Sequence, residues 1–176
     1  MNIIKYLKTE DFMQENKKQN YKNNINKLYR LNDFENFILN YESNERLITF
    51  NRKLRQSGTT FSLIILMLKN ILLDTNNKKY CIFDNNNTLV EILKSKIIDF
   101  INAYDKKLII KKDKDKIYLK GNKIIQFKSI KSEIRGLKFD KVFIDNYDLS
   151  SNTIRNIDSN QYFVFQRGID QWIQTI

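Results

Sequence analysis

The segment Thr59–Leu73 restricts the possible folds of this chain more than any other segment. Its sequence, TTFSLIILMLKNILL, is long enough for a helix and almost entirely apolar. A helix that is hydrophobic on all sides has to be covered on all sides, so this one belongs in the interior of a domain. The apolar residues 46–50 (RLITF) precede it, and the polar, basic residues 51–58 (NRKLRQSG) join the two. The sequence therefore predicts a strand, a loop that ends in glycine and a buried helix.

This succession is the layout of a phosphate-binding loop. Backbone N–H groups at the start of such a helix point towards an anion, and the helix dipole favours negative charge there. In the pattern G-x-x-x-x-G-K-[ST], Gly58 takes the second glycine position, Thr59 replaces the lysine and Thr60 supplies the hydroxyl group. Lys53 stands at the first glycine position, and Lys53 and Arg55 are the cations within the loop. The alternative is an ordinary strand–turn–helix with a glycine in the turn.

A second pattern that is typical of nucleotide sites lies in residues 141–148 (KVFIDNYD). An apolar strand here ends at Asp145, as in a Walker B motif, in which the aspartate holds Mg²⁺ directly or through water. Many α/β strands end in aspartate, so this pattern gains its weight from the phosphate loop upstream. The two patterns together predict a site for a magnesium-bound nucleotide.

Composition limits the class of protein and its partners. The chain has 176 residues, which favours a single domain, and 41% of them are hydrophobic, which is enough for a core. Its net charge of +11 favours a polyanionic partner, although a lysine-rich codon bias is an equal explanation. The absence of histidine and the single Cys81 argue against common zinc sites and disulfides. No signal peptide or membrane-spanning run is apparent, so we expect a cytosolic, non-secreted protein.

Strands and helices alternate along the chain, which predicts a three-layer α/β domain with a mainly parallel central sheet. We expect residues 1–30 to be a basic, Asn-rich arm and residues 31–176 to be the domain, incomplete at its C-terminus. A helix over residues 31–41 would be capped by Asn32 or Asp33. Thr88 would cap a second helix that ends near residue 104. Residues 116–127 predict a β-hairpin, residues 149–157 a short helix and residues 162–165 the last strand.

The order of these motifs resembles the ATPase domain of the large terminase subunit of tailed bacteriophages, the DNA-packaging motor. Three stretches carry the resemblance: LNDFENFIL at residues 31–39, KLRQSGTT at residues 53–60 and IIQFKSIKSEIRGLKFDKVFID at residues 124–145. The second contains the Arg-Gln-x-Gly core of the terminase phosphate loop, and the third contains Arg-Gly ahead of the Walker B strand. The resemblance implies the P-loop NTPase-like fold of the ASCE division, with ATP and Mg²⁺ as cofactors.

The resemblance also implies roles for individual residues. Arg55 would act on the γ-phosphate, and Thr60 and Asp145 would hold Mg²⁺. Asn146 stands where the family has its catalytic glutamate, and Asp148 is a candidate to replace it. Residues that would contact ATP are Glu35, Lys53, Arg55, Gln56, Ser57, Gly58, Thr59 and Thr60.

Three departures from the family pattern bear on activity. Asn146 cannot act as a general base, so hydrolysis should be slow unless another group serves. Glu35 stands near the position of the glutamine that reads adenine, and it lacks the amide donor. The family's Thr-rich coupling segment would fall near Phe165 and Gln166, where there is no Thr or Ser.

Two functions therefore remain open. The first is a terminase-like ATPase that translocates viral double-stranded DNA into a capsid. The resemblance implies a portal and a small terminase subunit as partners, a homo-oligomeric ring, and the cytoplasm of an infected host cell as the location. The second is a pseudo-ATPase that acts as a nucleotide- or DNA-binding assembly module. A helicase is a third reading, but it predicts an acidic Asp-Glu pair and a second motor domain, neither of which is found in the sequence.

Overall fold

The computed structural model describes residues 3–52, 59–75, 78–84, 87–129, 136–145, 157–167 and 174–175. These residues form α1 (Ile3–Leu28), α2 (Asp33–Asn40), β1 (Leu47–Arg52), α3 (Thr59–Leu73), β2 (Lys79–Asp84), α4 (Asn87–Asp105), β3 (Ile109–Lys112), β4 (Lys116–Leu119), β5 (Lys123–Ser129), β6 (Lys138–Asp145), β7 (Asp158–Arg167) and β8 (Gln174–Thr175). None of the described helices is both long and apolar enough to cross a membrane.

The strands form one sheet in the order β3-β4-β5-β2-β6-β7-β1-β8. Its central strands β5, β2, β6, β7 and β1 are parallel to one another, whereas β3 and β4 on one side and β8 on the other are antiparallel additions. The predicted α/β fold with a mainly parallel sheet is therefore confirmed. The carboxyl ends of the parallel strands all meet at one edge, and the first turn of α3 lies there against the end of β6.

Alternate residues of β2, β6 and β7 belong to two different apolar clusters. Ile82 and Phe143 face the larger cluster, which also contains buried residues from all four helices. Cys81 and Ile144, their neighbours in the chain, face a smaller cluster on the opposite side of the sheet. Because both faces are buried, the near-continuous apolar run of β2 is explained, as predicted for a sheet that is covered on both sides. Burial raises the pKa of the Cys81 thiol well above its usual range, which agrees with an inert packing role.

Aromatic pairs between neighbouring strands support the register of β6, β7 and β1. The rings of Phe143 on β6 and Phe163 on β7 stack with their centroids 5.0 Å apart. The rings of Phe50 on β1 and Phe165 on β7 stack at 4.8 Å. Cross-strand aromatic contacts of this kind stabilise one register over its alternatives, since a slip by one residue would turn each ring to the other face.

The first helix is packed against the core in its second half. Tyr21 and Ile25 of α1 are fully buried, and the Tyr21 hydroxyl group donates a hydrogen bond of 2.6 Å to the Ile65 carbonyl oxygen of α3. Residues 1–30, which the sequence suggested as an arm, therefore include part of the hydrophobic core.

The ends of several elements differ slightly from the sequence-based predictions. Of the two proposed caps of α2, Asn32 is the one used. Helix α4 begins at Asn87, so the expected cap Thr88 lies inside the helix. The predicted hairpin is present as β4 and β5, and Gly121 and Asn122 of its turn both have positive φ. The short helix predicted over residues 149–157 lies almost entirely outside the described residues.

Candidate functional site

Five residues from neighbouring strands form a row across the carboxyl edge of the sheet. Phe50 pairs with Phe165, and Phe165 pairs with Asp145. On the other side of β6, the pairing of Phe83 with Ile144 places the next residues, Asp84 and Asp145, side by side, and Asp84 pairs with Ser129. Strand alternation turns all five side chains towards the face that α3 and α4 cover. The row therefore changes from aromatic at β1 and β7 to polar at β6, β2 and β5.

The hydroxyl group of Thr60 lies directly against Asp145. Thr60 is in the first turn of α3, and its Oγ1 donates a hydrogen bond of 2.6 Å to Asp145 Oδ2, across 85 residues of sequence. The Asp145 side chain is only 4% exposed. The structure thus brings together the two residues that the sequence pairs as candidate metal ligands.

A second buried carboxylate shares this location. Asp84 ends β2, is 5% exposed and lines a cavity of about 350 Å³ together with Thr60 and Asp145. Helix α4 forms the other wall of the cavity with Leu89, Ile92, Leu93 and Lys96. The cavity therefore combines two carboxylates, one hydroxyl group and one cationic side chain at the start of a buried helix.

The described residues include only part of the predicted ATP site. Thr59 begins α3 and is buried beside the cavity residue Thr60. The loop residues Lys53, Arg55, Gln56, Ser57 and Gly58 lie outside the described part of the chain. The catalytic candidates Asn146 and Asp148 lie outside it as well. Their predicted roles therefore stay predictions.

Glu35 has a structural role that accounts for its burial. Its Oε2 accepts a hydrogen bond of 2.9 Å from the backbone N–H of Asn32, and the Asn32 side chain accepts one of 3.0 Å from the backbone N–H of Glu35. This reciprocal pair is a capping box at the start of α2. The contact of Glu35 with an adenine ring stays a prediction.

Asp84 and Lys96 line the cavity but were not predicted from the sequence. A signal for Asp84 was present, since KYCIFD at β2 repeats the pattern of an apolar strand ending in aspartate that identified Asp145. Asp84 was not connected with Asp145, because β2 and β6 are far apart in the chain and no local pattern shows that they are neighbours. Lys96 lies on an exposed helix face, where a lysine carries no signal of its own.

The donor groups of the cavity fit a magnesium ion. Mg²⁺ prefers oxygen ligands and is usually held by one or two carboxylates together with substrate phosphates. Thr60 and Asp145 supply a hydroxyl group and a carboxylate in contact, the donor pair that such an ion would need from the protein. Within the described residues there is no group of three or more His, Cys, Asp or Glu side chains that would hold a metal alone.

A second polar cavity, of about 220 Å³, lies at the opposite edge of the sheet, and its polar groups contact one another. Here Lys141 Nζ lies 3.1 Å from Asp74 Oδ1 and 2.6 Å from Asn70 Oδ1. Lys69 is 4% exposed, and its Nζ donates a hydrogen bond of 2.7 Å to the Tyr41 carbonyl oxygen. Burial lowers the pKa of Lys69 to about 8, against the opposing effect of Glu42. The two lysine ammonium groups thus have hydrogen-bond and ion-pair partners within this cavity. The cavity lies at the amino ends of the strands, away from the first turn of α3.

A mainly parallel sheet whose carboxyl edge meets the first turn of a buried helix, with an aspartate from a neighbouring strand against that turn, defines a P-loop NTPase-like fold. Comparisons with known structures show which proteins of this class have a similar fold. The chain has the fold of the ATPase domains of phage large terminases, as the sequence resemblance predicted.

Three solved structures illustrate the similarity. A variant of the large terminase ATPase domain of Thermus phage P74-26 matches with a TM-score of 0.58 and 11% identity, over 78% of this chain and 65% of that one. A second structure of the same domain matches with a TM-score of 0.52 and 12% identity, over 81% and 67%. The large terminase of a thermophilic bacteriophage matches with a TM-score of 0.52 and 10% identity, over 78% and 38%. No protein-family model and no curated protein matches the chain.

Proposed function

We propose that this chain binds magnesium-bound ATP at the carboxyl edge of its sheet. The observation that carries the proposal is the hydrogen bond of 2.6 Å between Thr60 and Asp145. It places a hydroxyl group from the start of a buried helix against a buried carboxylate from the neighbouring part of the sheet. A structural hydrogen bond alone does not require a cavity beside it, whereas this pair lines one.

In this proposal each side chain has a separate task. Thr60 and Asp145 hold the metal ion, and the backbone N–H groups at the start of α3 face the phosphates, where the helix dipole favours negative charge. Mg²⁺, when bound, neutralises phosphate charge as it develops during phosphoryl transfer. Lys53 and Arg55 of the loop, and Lys96 of α4 across the cavity, supply cations from this chain.

We further propose that nucleotide binding serves movement of viral double-stranded DNA, as in a DNA-packaging motor. The fold of the large terminase ATPase domains and the net charge of +11 support this. A portal, a small terminase subunit and a ring of identical subunits are the partners that such a role requires. The chain spans 65% of the first matched ATPase domain. The similarity in fold covers only this part, and the partners are therefore proposed.

A pseudo-ATPase is the second candidate function, and one observation favours it. Asn146 follows Asp145 where the terminase pattern has a glutamate, and an amide cannot accept a proton from water. Nucleotide binding would then serve assembly, with little or no turnover. The two functions share the metal pair and differ in hydrolysis.

Isothermal titration calorimetry tests the shared part of the proposal. We expect the wild type to bind Mg-ATP with micromolar affinity, and Asp145→Ala and Thr60→Val to lose most of it. Asp105→Asn, an exposed aspartate at the far end of α4, is the matched control and should bind like the wild type. Failure of the wild type to bind at millimolar nucleotide would refute the proposed site.

DNA binding is tested separately by measuring affinity for a double-stranded oligonucleotide in rising salt. Binding through the basic surface predicts that log K falls linearly with log salt concentration, because counterions are released from the phosphates. Affinity that does not depend on salt would refute the electrostatic basis of this part of the proposal.

A further inference from the structure

Among the described residues that line the cavity, Asp84 is a second carboxylate beside the proposed metal pair of Thr60 and Asp145. It is 5% exposed and lies at the end of β2, next to Asp145 at the end of β6. Neighbouring strands are about 4.8 Å apart, so the two backbones bring both side chains to the same part of the cavity. Both carboxylates also line the cavity, so each can meet a ligand that enters it.

ATP hydrolysis needs a group that accepts a proton from the attacking water, and Asn146 cannot be that group. A replacement has to be a carboxylate or another base within the same cavity, yet separate from the carboxylate that holds the metal. Asp84 meets these conditions, since Thr60 binds Asp145 and Asp84 reaches the cavity from a different strand.

We propose that Asp84 is the general base for ATP hydrolysis at this site. The inference rests on the proposed function and deepens it, because it assigns a turnover step to a chain that lacks the glutamate after Asp145.

The Asp84 carboxylate accepts one proton from water while the water oxygen forms a bond to the γ-phosphorus. The bond between the γ-phosphorus and the bridging oxygen breaks, and its electron pair leaves with ADP. Inorganic phosphate and ADP are the products, and Asp84 later returns its proton to solvent through the open side of the cavity.

Two other roles for Asp84 give different results when it is changed. As a metal ligand, its loss would weaken Mg-ATP binding together with turnover. As a structural group only, its loss would lower stability and leave the turnover of the folded fraction unchanged. A general base is the case in which binding persists and turnover disappears.

The experiment compares wild type, Asp84→Asn, Asp84→Glu and Asp145→Asn in Mg-ATP calorimetry, Mg²⁺ titration and single-turnover hydrolysis. We expect Asp84→Asn to bind Mg-ATP within about threefold of the wild type, with the same Mg²⁺ dependence. Its hydrolysis rate should fall by about 100-fold or more, the usual contribution of a general base. Asp84→Glu keeps a proton acceptor and should retain more activity than Asp84→Asn. Asp145→Asn should lose binding.

Asp99→Asn is the matched control, because Asp99 is an exposed aspartate on α4 that lines a neighbouring cavity beside Lys96. It should hydrolyse ATP like the wild type. Asp84→Ala provides a second test that does not depend on the asparagine variant, since added formate should restore part of its hydrolysis by supplying the missing carboxylate.

The outcomes separate the inference from the proposed function. If the wild type does not bind Mg-ATP, both fail. If it binds without hydrolysis, or if Asp84→Asn hydrolyses at the wild-type rate, the Asp84 inference is overturned while the binding function stands. Loss of Mg-ATP binding in Asp84→Asn would make Asp84 a metal ligand and would also overturn the inference.

Discussion

Lys69 gives the stability of this protein a dependence on pH at mildly alkaline values. Lys69 is 4% exposed, and its pKa falls from its ordinary value of 10.5 to about 8. Burial is the largest cause, since it disfavours the charged form. Glu42, whose Oε1 lies 3.8 Å from Lys69 Nζ, raises the pKa and offsets part of this effect, whereas Lys18 and Lys22 lower it further.

The direction follows from proton binding in the two states. Between pH 8 and 10.5 the unfolded chain keeps the Lys69 proton while the folded protein releases it. Stability therefore rises with pH in this window and is lowest, as far as Lys69 is concerned, below pH 8. The pKa difference between 10.5 and about 8 corresponds to about 3 kcal/mol at 1.36 kcal/mol for each pKa unit.

The assay is urea unfolding of wild type and Lys69→Met at several pH values between about 7.5 and 9.5. Because methionine does not titrate, the difference between the two free energies of unfolding isolates Lys69, and we expect the wild type to gain about 2 kcal/mol on the variant over this range. Lys106→Met, at an exposed lysine, is the control and should follow the wild type. If the free energies of unfolding of wild type and Lys69→Met changed in parallel with pH, burial of the Lys69 ammonium group would not lower stability as expected.

Three further substitutions test the contacts that hold the helices and the hairpin in place. Tyr21→Phe removes the hydroxyl group that bonds the Ile65 carbonyl oxygen at 2.6 Å, and should lower the free energy of unfolding by about 1 kcal/mol. Asn32→Ala removes the acceptor for the Glu35 backbone N–H and should cost about 1 kcal/mol, with Asn40→Ala as an exposed control. Gly121→Ala should also cost about 1 kcal/mol, because φ is +78° at a position where the added Cβ meets only Lys123 Cε at 3.7 Å. Each is measured by urea unfolding, and an unchanged midpoint would contradict the corresponding contact.

Much of the fold is predictable because it depends on local patterns. The apolar run of α3, the apolar strands β2 and β6, and the β4–β5 hairpin are periodic or continuous over short segments, so their element types follow from the sequence. Exact ends were less predictable. Helix α4 begins one residue before its expected cap Thr88, since end positions depend on backbone contacts with the rest of the fold.

Part of the candidate site could be predicted from the sequence, and part became visible only in the tertiary structure. Sequence alone identified Thr60 and Asp145, because each belongs to a local pattern with a chemical meaning. It did not identify Asp84 as their neighbour, although the same strand-plus-aspartate pattern is present there. That relation depends on β2 lying next to β6 in the sheet, a pairing between segments about 60 residues apart that no local pattern encodes.

By itself, then, the sequence determined which segments are buried, which helix follows Gly58 and that one strand ends in Asp145. Only the tertiary structure decided that Asp145, a second carboxylate and one hydroxyl group share a cavity. The physical reason is that hydrophobic periodicity is a property of a few consecutive residues, whereas strand order follows from the packing of the whole sheet against its helices.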